Sequence, residues 1–127
     1  MDRKKLFKYI LYLILFIFVA NLIADKFYLY SSVWYFDMPM HFLGGFWLGL
    51  VMIWFLYSKI ALSGFSLKLI IKIFLGIFLI GISWEVFELF FKNAIAQNPF
   101  NTLDTISDLF FDLSGGTLSV LYLLRKI

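Results

Sequence analysis

The chain has no cysteine. Disulfide staples, thiolate metal sites, iron–sulfur clusters and cysteine nucleophiles are therefore excluded. Charge is scarce too. Charged residues make up 15% of the chain and hydrophobic ones 63%, whereas a soluble domain is about 25% charged. A water-soluble globule of 127 residues could not hide so much apolar surface. A soluble enzyme, a disordered chain and a nucleic-acid binder are poor readings. There are two prolines and one histidine, so the apolar runs are barely interrupted and all imidazole chemistry rests on His41. G-x-S-x-G, H-E-x-x-H and Walker patterns are missing, and Ser83, beside Trp84-Glu85, lacks a defined base.

What the chain does have is long apolar runs. Crossing a bilayer takes about 20 apolar residues. Residues 6–24, 38–57, 67–91 and 103–124 approach that length. The runs are continuous rather than alternating, which argues for helices and against a β-barrel. The expected fold is all-α: a polytopic membrane protein, one four-transmembrane-helix bundle over residues 1–127. The first run has a basic start, but it is longer than a signal-peptide core and no A-x-A pattern follows, so it reads as a retained anchor. Residues 25–37 are rich in aromatics and read as a loop along the membrane interface. Residues 58–66, with Ser63-Gly64, and residues 92–102, with Asn98-Pro99, read as turns.

The charges are not evenly spread. With both termini on the cytoplasmic side, every Lys and Arg except Lys26 and Lys92 lies at the inner face, as cytoplasmic loops prefer. Every acid except Asp2 then falls in the outer half. The modest net charge of +3 conceals this polarity. An N-in, C-in arrangement, with both termini cytoplasmic, is expected.

The acids gather on three helices. Asp37 and His41 lie four apart at the start of the second helix and share a face. Glu85 and Glu88 lie three apart near the end of the third. Asp104, Asp108 and Asp112 form one stripe at the start of the fourth. At about 1.5 Å rise per residue, His41, Glu85 and Asp108 reach similar depth and Asp112 lies deeper. Asp104 reads as a helix-start acid, and Glu88 reaches toward the headgroups. An acid inside the membrane faces the bundle interior and is by default a functional residue, which singles out Glu85 and Asp112. Gly44, Gly45 and Gly49 beside His41, and Gly115 and Gly116 after Asp112, allow the helices to approach closely there. Trp34, Trp47, Trp54 and Trp84 read as interface-belt and packing residues.

One histidine and several carboxylates would repel if all were ionised, so protons, pairing or a cation must intervene. His41, Glu85, Asp108 and Asp112 are candidate ligands for a divalent metal. Carboxylates suit Mg²⁺, Ca²⁺ or Mn²⁺, and a histidine among them suits Zn²⁺, Mn²⁺ or Fe²⁺. Shared protons in a relay are the other answer.

The stretch Asp37-x-x-x-His41-Phe-Leu-Gly-Gly resembles the D-x-x-x-H-F motif of the VanZ-like membrane proteins. The later run Glu85-x-x-Glu88, Asp104-Thr-x-x-Asp108-Leu-x-x-Asp112-x-x-Gly115-Gly116 resembles that family's second half. Trp84-Glu85 and the Asp-Thr-x-x-Asp spacing also resemble the YjdF-type inner-membrane family. This chain departs from the VanZ-like pattern with Glu88 in place of Gln and Asp112 in place of Asn, which makes the pocket more acidic. The resemblance implies a small bacterial membrane protein of the cell envelope and puts weight on Asp37, His41, Glu85, Asp108 and Gly115. The expected function is an extracytoplasmic His/carboxylate pocket that binds a divalent cation, acts on a cell-envelope or lipid-linked group, or does both. The alternatives are an ion- or proton-coupled transporter and a non-catalytic structural subunit. The bilayer is the expected partner, a homo-oligomer is compatible with so small a bundle, and nucleic acid is not expected. Whether the pocket catalyses a reaction is left open by the residues.

Overall fold

The computed structural model describes residues 2–32, 36–91 and 102–124, except for the side chains of residues 30, 31, 37, 88, 89, 91 and 102–104. Those residues are all-helical apart from turns. The helices are α1 (Arg3–Lys26), α2 (Leu29–Ser32), α3 (Asp37–Phe55), α4 (Tyr57–Ser63), α5 (Leu67–Phe91) and α6 (Thr102–Leu123). Three of them, over Arg3–Lys26, Met38–Phe55 and Leu67–Phe87, are long and apolar enough to cross a membrane. The fourth expected run forms α6, but its aspartates leave it outside that set.

Local signals set the helix ends. Asp2 caps α1, its carboxylate accepting from the Lys5 amide at 2.7 Å. Ser66 does the same for α5, accepting from the Leu69 amide at 3.3 Å. Pro39 stands in the first turn of α3, where its missing N–H costs no helical bond. Gly64 ends α4 with φ of 74°, a conformation open to glycine without strain.

Two expected connections contain helix instead. Residues 58–66 read as a turn, yet Tyr57–Ser63 is helical. The reason is burial. Ile60 is in the core at 2% exposure, and the Leu56 and Ile60 amides bond back to the Met52 and Leu56 carbonyls, carrying the helix onward. In the aromatic segment after α1, α2 forms as Ser32 bonds back to the Tyr28 carbonyl through both its amide and its hydroxyl.

Contacts fix the helix directions. Arg3 lies over the Trp54 ring at 4.1 Å, and the Trp47 indole N–H donates to the Ile10 carbonyl at 3.0 Å, so α1 and α3 are antiparallel. Gly45 meets Asp112 and Gly49 meets Gly116 and Ser119, so α3 and α6 run parallel. Gly81 meets Leu109 and Asp112, and Ile77 meets Gly116, so α5 opposes α6. Helix α3 is therefore the hub, with α6 its most extensive neighbour.

This arrangement sorts chemistry by end. Leu6, Ile53, Ile60, Ile73 and Leu123 fill a core toward one end. Arg3, Lys4, Lys5, Lys8, Lys59, Lys68 and Lys72 lie at that same end. Toward the other end the interior is polar. The outward surface is apolar, with Leu15, Phe16, Phe18 and Leu22 of α1 each about half exposed or more. Apolar faces this extensive are normal against lipid and would aggregate in water.

Candidate functional site

His41 stands on the face of α3 that meets α6, one helical turn before Gly45. The approach there is so close that a Cβ on Gly45 would overlap the Asp112 carbonyl, and a Cβ on Gly115 would overlap the Phe42 carbonyl. The seam continues at Gly49, where a Cβ would collide with the Ser119 hydroxyl. Backbone contact of this kind brings the imidazole within reach of two successive aspartates on α6. Its Nδ1 is 3.1 Å from Asp112 Oδ1, and its Nε2 is 3.4 Å from Asp108 Oδ2. The 108/112 spacing is one helical turn, so both carboxylates present to one ring.

Helix α5 closes the third side. Gly81 leaves room for the Asp112 carboxylate, for a Cβ there would stand 3.0 Å from Asp112 Oδ2. One turn further on, Glu85 reaches the same space, and Thr105 Oγ1 donates to its Oε2 at 3.4 Å. Ligand-type atoms of His41, Glu85 and Asp108 all lie within 4.8 Å of one another.

The group is shielded. The side chains of His41, Asp108 and Asp112 are 11%, 3% and 10% exposed, and Glu85 is 9% exposed. Three carboxylates and one imidazole in so dry a space cannot all carry their charge without compensation, since each buried charge costs several kcal/mol unless paired. An imidazolium between the aspartates offsets one negative charge. A divalent cation offsets two and takes imidazole nitrogen and carboxylate oxygen together.

A family model described as predicted membrane protein (DUF2238) matches residues 1–127. The chain belongs to that family. It is a membrane protein whose helices are able to span a bilayer. No curated protein and no solved structure matches it.

Within this DUF2238 chain, the structure gathers His41, Glu85, Asp108 and Asp112 into one cluster. Asp37, Glu88 and Asp104 sit on helices at the same end, with side chains outside the described residues. Gly45, Gly49, Gly115 and Gly116 all lie in the helix seams, Gly116 against Ile77 of α5. Gly44 does not, as a Cβ on it meets nothing within 4 Å. Ser83 donates its hydroxyl to the Leu79 carbonyl at 2.8 Å on an exposed face, away from the cluster. Sequence reasoning missed Thr105, the Glu85 donor, and Ser119, which is fully buried in the seam with its hydroxyl bonded to the Gly116 carbonyl. Thr105 carries a signal in retrospect: it lies three residues before Asp108 and so on nearly the same helix face.

Proposed function

We propose that this protein holds a divalent cation between α3, α5 and α6 at the extracytoplasmic end of a four-helix, N-in, C-in bundle in a bacterial inner membrane. The observation that carries the proposal is the convergence of His41, Glu85 and Asp108 ligand atoms within 4.8 Å, each from a different helix. Helix α6 has 22 residues, which at about 1.5 Å per residue is long enough to cross the hydrocarbon. Asp108 and Asp112 turn toward α3 and α5 rather than lipid, which is how polar residues are accommodated in a span. Basic residues concentrated at the opposite end support the orientation.

Three protein ligands leave coordination positions for an outside oxygen. A cation there would polarise a phosphoryl group of a lipid-linked or other cell-envelope molecule arriving along the membrane. The likeness of roughly residues 37–120 to VanZ-like and YjdF-type proteins points to the same envelope setting.

The test is elemental mass spectrometry of the protein purified in mild detergent, after incubation with Mg²⁺, Mn²⁺, Ca²⁺ and Zn²⁺ in turn. Stoichiometric metal is expected in the wild type and none in a Glu85→Gln/Asp108→Asn variant that keeps its helical circular dichroism. A wild type that takes up none of the four ions refutes the cation reading. In that case the placement of His41 between two carboxylates favours a proton-sharing group, as in ion- or proton-coupled transport, read by proton uptake into proteoliposomes.

A further inference from the structure

The two nitrogens of His41 are not equivalent. Nδ1 lies 3.1 Å from Asp112 Oδ1, inside the range of an N–H···O hydrogen bond. Nε2 lies 3.4 Å from Asp108 Oδ2, longer than such bonds usually are. A separation of this length has another meaning. Bonds of about 2.0–2.1 Å at tetrahedral angles put neighbouring ligand atoms roughly 3.3–3.4 Å apart. Octahedral Mg²⁺ with similar bonds would bring them to about 2.9 Å, whereas the longer bonds of Ca²⁺ also allow about 3.4 Å, so the separation speaks against Mg²⁺ and the imidazole donor against Ca²⁺.

Asp112 is also held in a way that suits an acceptor. Its backbone is locked against Gly45, and its second oxygen faces the gap left by Gly81. It is not among the residues whose ligand atoms converge, which are His41, Glu85 and Asp108. Histidines that bind metal through one nitrogen almost always donate the other N–H to a carboxylate or carbonyl, which sets the tautomer and aims the ring.

We infer that Asp112 is a positioning residue rather than a metal ligand: it accepts the Nδ1 proton of His41 and turns Nε2 toward Glu85 and Asp108, making a three-ligand centre suited to Zn²⁺ or Mn²⁺ rather than Mg²⁺ or Ca²⁺. This rests on the cation reading above and deepens it. The donor set agrees, since imidazole suits zinc and manganese, while calcium and magnesium prefer all-oxygen shells. One position of a four-coordinate ion is left for water or an incoming oxyanion.

His41 is the only histidine in the chain, so protein labelled with ¹⁵N in the imidazole reports this one ring without assignment. The experiment is a ¹⁵N spectrum in detergent micelles with and without Zn²⁺, beside zinc titrations of the wild type, Asp112→Asn and Asp108→Asn. The expected result is a proton-bearing Nδ1 and a zinc-shifted Nε2. Asp112→Asn should bind zinc about 10–100-fold more weakly than wild type, the usual effect of losing an orienting carboxylate. Asp108→Asn should lose stoichiometric binding, and excess Mg²⁺ or Ca²⁺ should leave the zinc signal in place. Zinc bound through Nδ1, or Asp112→Asn failing as completely as Asp108→Asn, overturns the assignment while leaving the cation site standing. Wild type that binds none of the four ions overturns both. The tautomer is read on wild-type protein, so a variant that misfolds does not rescue the idea.

Discussion

Trp47 ties two helices together with a single atom. Its indole nitrogen donates across the α1–α3 contact to the Ile10 carbonyl at 3.0 Å. That carbonyl belongs to a regular helical turn, so the indole uses its second lone pair. Water does not compete for the bond inside the bilayer, but measured interhelical bonds in membranes are modest. Trp47→Phe should therefore lower stability by about 1 kcal/mol in SDS titration of mixed micelles, leaving the fold and any metal binding intact. No loss would mean that this bond contributes nothing to holding α1 against α3. Tryptophan in a membrane chain is first read as an interface anchor or packing group, and nothing along the sequence pairs residue 47 with residue 10. The same holds at His41. The helical rise along the sequence placed it near the depth of Asp108 with Asp112 deeper, but that one ring meets both aspartates follows from how closely α3 and α6 approach.

At the scale of helices, that approach depends on small residues rather than on apolar burial. Lipid tails are as apolar as leucine, so burying Ile53 or Ile77 between helices gains little over leaving them in lipid. What distinguishes the α3–α6 contact is backbone against backbone at Gly45 and Gly115. Gly45→Ala puts a methyl group on the Asp112 carbonyl, which cannot swing aside as a side-chain end can. The helices must part, at about 1–3 kcal/mol or more, and His41 then loses its hold on Asp112 and Asp108. Gly44→Ala meets open space and should change stability by no more than about 0.5 kcal/mol. Melting the two variants side by side checks the pair, and equal destabilisation would refute the contact account, because alanine in place of glycine otherwise favours a helix. The small-xxx-small spacing of Gly45 and Gly49 was legible along the chain, as were the long helices to within a few residues. Which of two adjacent glycines faces the partner was not. Nor was the helix at Tyr57–Ser63, because the burial of Ile60 that sustains it depends on where other helices stand.

At the scale of the whole molecule, the helix directions give the charge pattern a geometry. Because α1 opposes α3, α3 parallels α6 and α6 opposes α5, the start of α1, the end of α3 and the start of α5 share one end, and that end carries Arg3, Lys4, Lys5, Lys8, Lys59, Lys68 and Lys72. His41, Glu85, Asp108 and Asp112 lie toward the other. Moving the basic end across a membrane is what translocation resists, so this end should stay in the cytoplasm. The chain's lack of cysteine makes this directly testable, since a single introduced thiol has no background. Ser32, in α2, and Ser58, in α4, are both exposed and stand at opposite ends of the bundle. In intact cells a membrane-impermeant maleimide should label Ser32→Cys and spare Ser58→Cys until the membrane is permeabilised. The reverse pattern would put the histidine and carboxylates at the cytoplasmic face. A cation could still bind there, but its open position would meet cytoplasmic ligands, and the link to envelope groups would fall while the geometry of the centre stood.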